Sequence, residues 1–305
     1  MENQLTLSVS ALPEVIKAVF NMPDHLARPL NITGPPGIGK TYVLDQVVKD
    51  LNEVHKEKIG LCTFIASSMD ITDFHIPALA DGRMQFFTTE EMPFERHAER
   101  YPKRGILFLD EWTNTEPTIQ KMLLQLLQKG MLGKERLMKG WRIVAAGNRV
   151  NDRTFSNSLS VAAATRCINI YAKAPTVQEW LAWAFRNAIN ESICAFLKFR
   201  PELLFKINHA LYQNGELGQP MPRTWEGVSD VINEGLDQEA ILPALINGLV
   251  GNAPGGEFLA FHSLRSELPN IDAILEGKAS DKELKPPKKM DVQYAAVMAM
   301  GNPIK

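Results

Sequence analysis

The stretch NITGPPGIGKT at residues 31–41 is the part of the sequence that decides the fold. Gly34 and Gly39 are followed at once by Lys40 and Thr41, which fits the phosphate-binding pattern G-x-x-x-x-G-K-S/T. Such a loop binds phosphate only where it joins a strand to a helix, because its N–H groups and the helix N-terminus must converge on one anion. The alternative, a Gly/Pro-rich turn, requires neither flank.

Both flanks have the required form. RPLNIT, before the loop, is a short run with β-branched residues, and TYVLDQVVKDLNEV, after it, repeats apolar residues at helical spacing. We therefore expect a strand, a loop and a helix here. The predicted nucleotide-binding residues are Gly34, Pro35, Pro36, Gly37, Ile38, Gly39, Lys40 and Thr41.

Three of these residue types have specific uses at a phosphate. Glycines such as Gly37 and Gly39 let the backbone approach the phosphates closely. Lys40 places a cation on the β- and γ-phosphate oxygens, and the Thr41 hydroxyl is a ligand for Mg²⁺. The loop thus predicts ATP and Mg²⁺ as cofactors.

A second motif, GILFLDEW at residues 105–112, is an apolar run that ends in two adjacent acids. A buried parallel strand ends in this way where its carboxyl end faces a ligand crevice. In that setting Asp110 holds Mg²⁺, and Glu111 orients and deprotonates the attacking water. The alternative is an acidic pair that caps a helix after the strand.

Two further strands and a helix follow the acidic pair. TEPTIQKMLLQLLQKG has Pro117 in a first helical turn, one apolar face and a stop at Gly130. WRIVAAGN at 141–148 predicts a buried strand that ends at Asn148, which can position water against the γ-phosphate or form a turn. CINIYAK, after Arg166, predicts another strand.

Composition limits the classes of partner. The chain has 305 residues, with 33 Lys+Arg against 35 Asp+Glu. This balance gives no bulk attraction to nucleic acid or to an anionic membrane. Three distant cysteines without a C-x-x-C pair indicate reduced thiols, and the histidines lack metal-site spacing. No leader-like start and no apolar run near ~20 residues is present, so we expect a soluble, cytoplasmic protein without membrane contact.

With GPPGIGKT, LFLDE and AAGN in this order, the chain resembles the MoxR branch of AAA+ ATPases. It is most similar to the MoxR-like ATPases of bacteria and their phages. The resemblance covers most of the chain, including FHIPALADGRMQFF, which looks like the family's helix-2 insert. It implies an α/β fold in which a P-loop AAA+ parallel-sheet domain is followed by a small all-α lid.

The resemblance also implies roles for particular residues. Asn148 looks like the sensor-1 residue, and Arg223 in PRTW looks like the sensor-2 arginine of the lid. Arg166 looks like the arginine finger that reaches a neighbouring subunit's site. Thr165 and Cys167 flank it in place of the family's usual D-R-F, so Arg149 and Arg153 remain candidates for the finger.

Three regions are expected along the chain. These are a nucleotide-binding domain at 1–173 with an insert near 70–92, a helical lid at 174–276, and a linker with a C-terminal helix at 277–305. A last set of residues in the insert is expected to contact substrate, and comprises Phe74, His75, Phe86 and Phe87.

The function implied by the resemblance is a Mg-ATP-hydrolysing ATPase that forms a homo-oligomer and remodels a protein partner. The family resemblance implies that this oligomer is a hexameric ring. The family often works with a partner that has a von Willebrand factor A domain. One alternative is a nucleic-acid motor or loader, which predicts a clustered basic surface. A small-molecule kinase and a module that only holds ATP are less compatible with an intact acidic pair at Asp110 and Glu111.

Overall fold

A computed structural model describes residues 6–74, 76–80, 82–87, 91–148, 164–236, 240–266 and 277. The chain divides into two compact units, Met1–Pro175 and Thr176–Lys305. The three-region division stays a prediction, because the predicted tail at 277–305 lies outside the described residues except for Gly277. Within the described ranges, no helix combines the length and the apolar character that a membrane crossing needs.

The first unit alternates strands and helices. Its strands are β1 (Thr6–Ser8), β2 (Leu30–Thr33), β3 (Ile59–Ile65), β4 (Ile76–Ala80), β5 (Arg83–Phe87), β6 (Arg104–Asp110), β7 (Met131–Leu132), β8 (Glu135–Arg136), β9 (Trp141–Gly147) and β10 (Ile168–Lys173). Its helices are α1 (Leu12–Phe20), α2 (Lys40–Val54), α3 (Ile71–Phe74) and α4 (Pro117–Lys129). Short 3₁₀ turns cover Val9–Ala11, Ala66–Ser68, Glu95–Arg100 and Trp112–Asn114.

Six of these strands form one sheet in the order β1-β10-β2-β9-β6-β3, and all of its pairings are parallel. The predicted α/β fold with a parallel sheet is confirmed. Strand β9 lies between β2 and β6. The segments that follow β2, β9 and β6 therefore lie side by side at the carboxyl edge of the sheet.

The predicted flanks of the phosphate loop are present. Strand β2 is fully buried up to Ile32, and α2 buries the apolar residues that the helical spacing singled out. The next helix, α4, starts at Pro117, and Gly130 ends it in the left-handed conformation with φ 60°. Below α4, the buried side chains Leu123 and Leu126 pack into the core that β6 and β9 share.

Several boundaries and elements differ from the sequence-based expectation. Strand β6 ends at Asp110, so Glu111 lies outside it. A 3₁₀ turn at residues 9–11 precedes the first helix, which begins at Leu12. The edge strands β1 and β3 and the β7–β8 hairpin were not predicted.

Within the predicted insert, β4 and β5 pair as an antiparallel hairpin around Gly82, which has φ 68°. His75 lies outside the described residues, and so do the side chains of Phe74, Phe86 and Phe87. The substrate contact expected for these four residues stays a prediction.

The second unit is helical in its described part, which agrees with the all-α character predicted for this region. Its helices are α5 (Val177–Ala184), α6 (Glu191–Phe199), α7 (His209–Gln213), α8 (Pro222–Asn233), α9 (Leu242–Val250) and α10 (Asn252–Ser266). A capping box between Thr176 and Glu179 starts α5. An aromatic cluster of Trp180, Phe196 and Trp225 lies in the core of this unit.

Candidate functional site

The segment Gly34–Gly39 connects β2 to α2, so the eight predicted nucleotide-binding residues span a strand-to-helix junction. Gly37 and Gly39 have φ values of 71° and 99°, which glycine adopts without strain. A side chain on Gly34 would lie 2.7 Å from the Ala172 carbonyl oxygen of β10. Backbone shape and close packing both require glycine at these positions.

Lys40 is the first residue of α2, and its side chain is buried within the loop. Its ammonium donates hydrogen bonds to the carbonyl oxygens of Gly34 and Pro35, at 2.9 and 2.8 Å. A third bond, of 3.1 Å, reaches Asn148 Oδ1. The loop therefore holds a cation at its centre, between oxygen acceptors that a phosphate can replace.

Thr41 and Asp110 meet directly, although 69 residues separate them. The Thr41 hydroxyl donates a 2.7 Å hydrogen bond to Asp110 Oδ2. The other carboxylate oxygen of Asp110 accepts from the backbone N–H of Glu111 at 2.9 Å. A hydroxyl and a carboxylate at hydrogen-bond distance are the oxygen donors that Mg²⁺ prefers, so these two residues fit a magnesium ion.

Glu111 follows β6 in the left-handed conformation, with φ 53°. Non-glycine residues adopt this conformation infrequently, and it is concentrated at functional sites. The side chain is exposed, and Glu111 Oε2 accepts a 2.6 Å hydrogen bond from the Ser67 hydroxyl. The structure therefore fixes one oxygen of this carboxylate.

Ser67 is a site residue that the sequence reasoning missed. It lies in the 3₁₀ turn that directly follows β3. A usable signal was present, because IGLCTFI is a largely apolar run that forms β3 and Ser67 comes just after it. The same rule located Asp110 and Asn148, since polar residues after parallel strands collect at the carboxyl edge.

Asn148 follows β9 and lies between the loop and the acidic pair. Its backbone N–H donates to the Thr113 hydroxyl at 3.2 Å, while its side chain accepts from Lys40. Thr113 is buried, and a side chain on Gly147 would lie 2.4 Å from its hydroxyl oxygen. Asn148 is thus connected both to Lys40 and to the segment behind Glu111.

Arg166 is not brought to this cluster. It is exposed in the turn that precedes β10, whereas the phosphate loop follows β2. Leu30–Thr33 pair in parallel with Ile168–Tyr171, so Arg166 and the loop lie at opposite edges of the sheet. The four residue pairs of β2 and β10 extend over about 13 Å along the strands, and this length separates the turn of Arg166 from the phosphate loop. The alternatives Arg149 and Arg153 lie outside the described residues.

Arg223 belongs to the second unit, where it is the second residue of α8 and is exposed. Burial is the main cause that raises the pKa of Glu226, one turn further along; the charge of Asp230 adds to this effect and that of Arg223 opposes it. A cation in a first helical turn is disfavoured by the helix dipole. The predicted role of Arg223 at a nucleotide stays a prediction.

Comparison with known protein families finds a match over part of the chain. Residues 17–138 match a family model described as an AAA domain. The AAA-domain match contains the phosphate loop, Ser67 and both acids, and it supports an AAA+ P-loop NTPase. It ends before Asn148 and Arg166.

Among solved structures, a RuvB mutant of Thermotoga maritima is similar at 12% identity and a TM-score of 0.42. The alignment covers 94% of this chain and 81% of that chain. A similarity at this level carries no functional conclusion. No curated protein is similar to the chain at a significant level.

Proposed function

We propose that the chain is a magnesium-dependent AAA+ ATPase of MoxR type that forms a homo-oligomeric ring and remodels a protein partner. The observation that carries this proposal is the cluster at the carboxyl edge of the sheet. Lys40 contacts Asn148, Thr41 contacts Asp110, and Glu111 lies next to Asp110. The AAA-domain match over residues 17–138 supports the ATPase class independently.

ATP binding follows from the loop and from Lys40. The N–H groups and the positive dipole end at the start of α2, together with the Lys40 ammonium, favour a polyphosphate. Thr41 and Asp110 would hold Mg²⁺, which neutralises charge on the β- and γ-phosphates when it is bound. Lys40, which bonds to the carbonyl oxygens of Gly34 and Pro35, would donate to phosphate oxygens instead when a nucleotide is bound.

Hydrolysis needs a base that removes a proton from water and a polar group that holds this water in line with the γ-phosphate. Glu111 supplies the carboxylate, with one oxygen bonded to Ser67 and the other available for water. The Asn148 amide lies against Lys40 and is the water-positioning group. Neither role requires a residue from outside the first unit.

Charge that develops on the transferred phosphate needs a further cation, and Arg166 is our candidate. Its turn lies at the edge of the sheet opposite to its own phosphate loop. An arginine in this place serves the site of a neighbouring copy, and repeated head-to-tail contacts of this kind close into a ring. Such a finger contributes roughly 10³ to 10⁵ in rate. We assign Arg223 to the nucleotide as the sensor-2 residue.

The partner class rests on the resemblance to MoxR-like ATPases and on the overall charge balance. The near-neutral chain favours a protein partner, with a von Willebrand factor A domain protein as the first candidate. The β4–β5 hairpin is the element we assign to substrate contact.

A nucleic-acid motor is the second candidate function, and one surface favours it. Exposed cations lie on and beside the β7–β8 hairpin at Lys129, Lys134, Arg136 and Lys139. The acid between them, Glu135, is 3.5 Å from Arg96. Binding of single-stranded DNA that weakens steeply with salt would favour this function over protein remodelling.

The experiment that tests the ATPase proposal compares two variants with one matched control. Lys40→Ala should lose ATP binding, whereas Glu111→Gln should bind ATP and hydrolyse it 10²- to 10⁴-fold more slowly, the usual contribution of a positioned base. Glu116→Gln removes another exposed acid of the same segment and should keep normal turnover. Phosphate release and equilibrium ATP binding are measured for each. Normal turnover in Glu111→Gln would contradict the proposal.

A further inference from the structure

A chain of hydrogen bonds begins directly behind the acidic pair. Trp112 follows Glu111, and its indole N–H donates a 3.1 Å bond to Asn31 Oδ1. Both side chains are 1% exposed. Asn31 is therefore a buried amide in the middle of the strand that leads into the phosphate loop, and its polar atoms need partners inside the protein.

The series of hydrogen bonds continues across the sheet to the next strand. Asn31 Nδ2 donates a 3.0 Å bond to Asn169 Oδ1, and the two residues are register partners on β2 and β10. Asn169 Nδ2 in turn donates to the carbonyl oxygens of Ala164 and Cys167, at 2.6 and 3.1 Å. These two carbonyls lie on either side of Thr165 and Arg166.

The groups at the two ends of this hydrogen-bond series, the Trp112 indole and the two backbone carbonyls, fix the donor and the acceptor of every bond in it. An indole N–H only donates, so the oxygen of the Asn31 amide must face Trp112. A backbone carbonyl only accepts, so the NH₂ of the Asn169 amide must face Ala164 and Cys167. The two amides then meet with NH₂ against oxygen, and neither can flip without breaking bonds.

This arrangement connects two parts of the proposed mechanism that lie at opposite edges of the sheet. Trp112 belongs to the segment that positions Glu111 and Asn148, because the neighbouring Thr113 accepts the bond from the Asn148 N–H. Asn169 closes the turn that presents Arg166. Removal of the Asn169 amide would free the turn, whereas the Trp112–Asn31 bond and the bond between Thr41 and Asp110 do not involve Asn169.

We propose that Asn169, held through Asn31, is a positioning residue that fixes the Arg166 turn for its action on a neighbouring subunit. This inference rests on the proposed function, since it assumes that Arg166 acts in trans. Asn169 touches neither nucleotide nor reacting atoms. Its effect is expected in turnover rather than in ATP binding, because a catalytic group displaced by about 1 Å can cost on the order of 10² in rate.

The first variant is Asn169→Ala in the full chain. We expect kcat to fall about 10- to 100-fold, as for a misplaced catalytic group, with the KM for ATP unchanged within about twofold. Asn169→Asp is the second variant. It keeps the acceptor for Asn31 but places carboxylate oxygens opposite the two carbonyls, and it should show the same loss.

The matched control is Asn52→Ala. Asn52 also makes three side-chain hydrogen bonds, to Val48 and Ile59, between α2 and β3. Strand β3 is the edge strand furthest from β10 in the sheet order, whereas the other edge strand, β1, pairs directly with β10. Asn52→Ala should keep normal kcat, which separates loss of any structural asparagine from loss of this one.

Mixing experiments identify which subunit is defective. Glu111→Gln subunits should hydrolyse ATP too slowly to contribute measurably, but they can donate Arg166. Mixed with them before MgATP is added, Arg166→Ala subunits should regain activity, and Asn169→Ala subunits should regain it to a similar degree. Asn169→Ala mixed with Arg166→Ala should gain nothing, because neither subunit presents the arginine correctly.

The outcomes separate this inference from the proposed function. If Arg166→Ala is rescued but Asn169→Ala has normal kcat, or is inactive and not rescued, Asn169 is not a positioning residue. If Arg166→Ala is itself not rescued, the action in trans is wrong and the inference fails with it. Rescue of both variants, together with a normal Asn52→Ala, is the result we expect.

Discussion

Gly147→Ala is a sensitive test of how the acidic segment packs against the end of β9. The added Cβ would lie 2.4, 2.5 and 3.0 Å from the Oγ1, Cγ2 and Cβ atoms of Thr113. The closest approach is about 1 Å short of ordinary carbon contact. Thr113 is 2% exposed and accepts the bond from the Asn148 N–H, so it cannot rotate away into solvent.

Strand β9 has little freedom to move instead, because the Gly147 carbonyl accepts a 3.1 Å bond from the Gly34 N–H. We therefore expect Gly147→Ala to lower the free energy of unfolding by about 1–3 kcal/mol, the usual range for an overpacked core. Since the strain moves Asn148 and the phosphate loop, turnover should fall as well. Urea unfolding followed by tryptophan fluorescence measures the first effect, and phosphate release measures the second.

A double-mutant cycle makes the prediction specific. Thr113→Ala removes the two closest atoms and costs about 1–2 kcal/mol by itself through the lost hydrogen bond and methyl group. The double variant should lose about 1–2 kcal/mol less in free energy of unfolding than the sum of the two single-variant losses. Gly248→Ala is the glycine control, because no atom lies within 4 Å of its added Cβ. Normal stability of Gly147→Ala, or simple additivity, would refute the packing argument.

Three further predictions follow from single contacts. Ser67→Ala should lower kcat about fivefold without changing ATP binding, because one hydrogen bond to the Glu111 carboxylate is lost; unchanged kcat would remove Ser67 from the site. Burial, assisted by the charge of Glu91, raises the pKa of the Cys62 thiol from 9.0 to about 12. The folded state favours the protonated thiol, so this stabilisation is complete below pH 9 and is lost as pH rises towards 12. Stability measured across that range should fall less in Cys62→Ala, and an equal fall would contradict the pKa shift. Trp112→Phe should lower the free energy of unfolding by about 1–3 kcal/mol, because Asn31 Oδ1 is left without its buried donor; normal stability in urea would show that the bond contributes nothing.

The parts of the site that could be predicted from sequence share one property, which is that their signals are local. The loop pattern, its helix and the acids after an apolar strand each occupy fewer than about 20 adjacent residues, the scale on which periodicity is informative. Asn148 could be placed because parallel strands bring their carboxyl ends to one edge. The order of strands, with β9 between β2 and β6, explains why Lys40 then contacts Asn148.

The parts that could not be predicted depend on distant partners. Asn31 in LNIT gives no sign of being buried, and its role becomes clear only from Trp112 and Asn169, which are 81 and 138 residues away. Strand β1 has three residues, which is too short for a period to be visible. The β7–β8 hairpin has two-residue strands, and Gly133, with φ 59°, was its one local signal.

The central claim is an ATPase that completes its site with an arginine from a neighbouring copy. The native mass of Glu111→Gln, measured by light scattering with and without MgATP, tests it most directly. One chain has a mass of 34.1 kDa. We predict that MgATP shifts the protein to a ring-sized species several times this mass, and that the shift is lost with Lys40→Ala. A monomer under both conditions, with ATP shown to be bound, would contradict the claim.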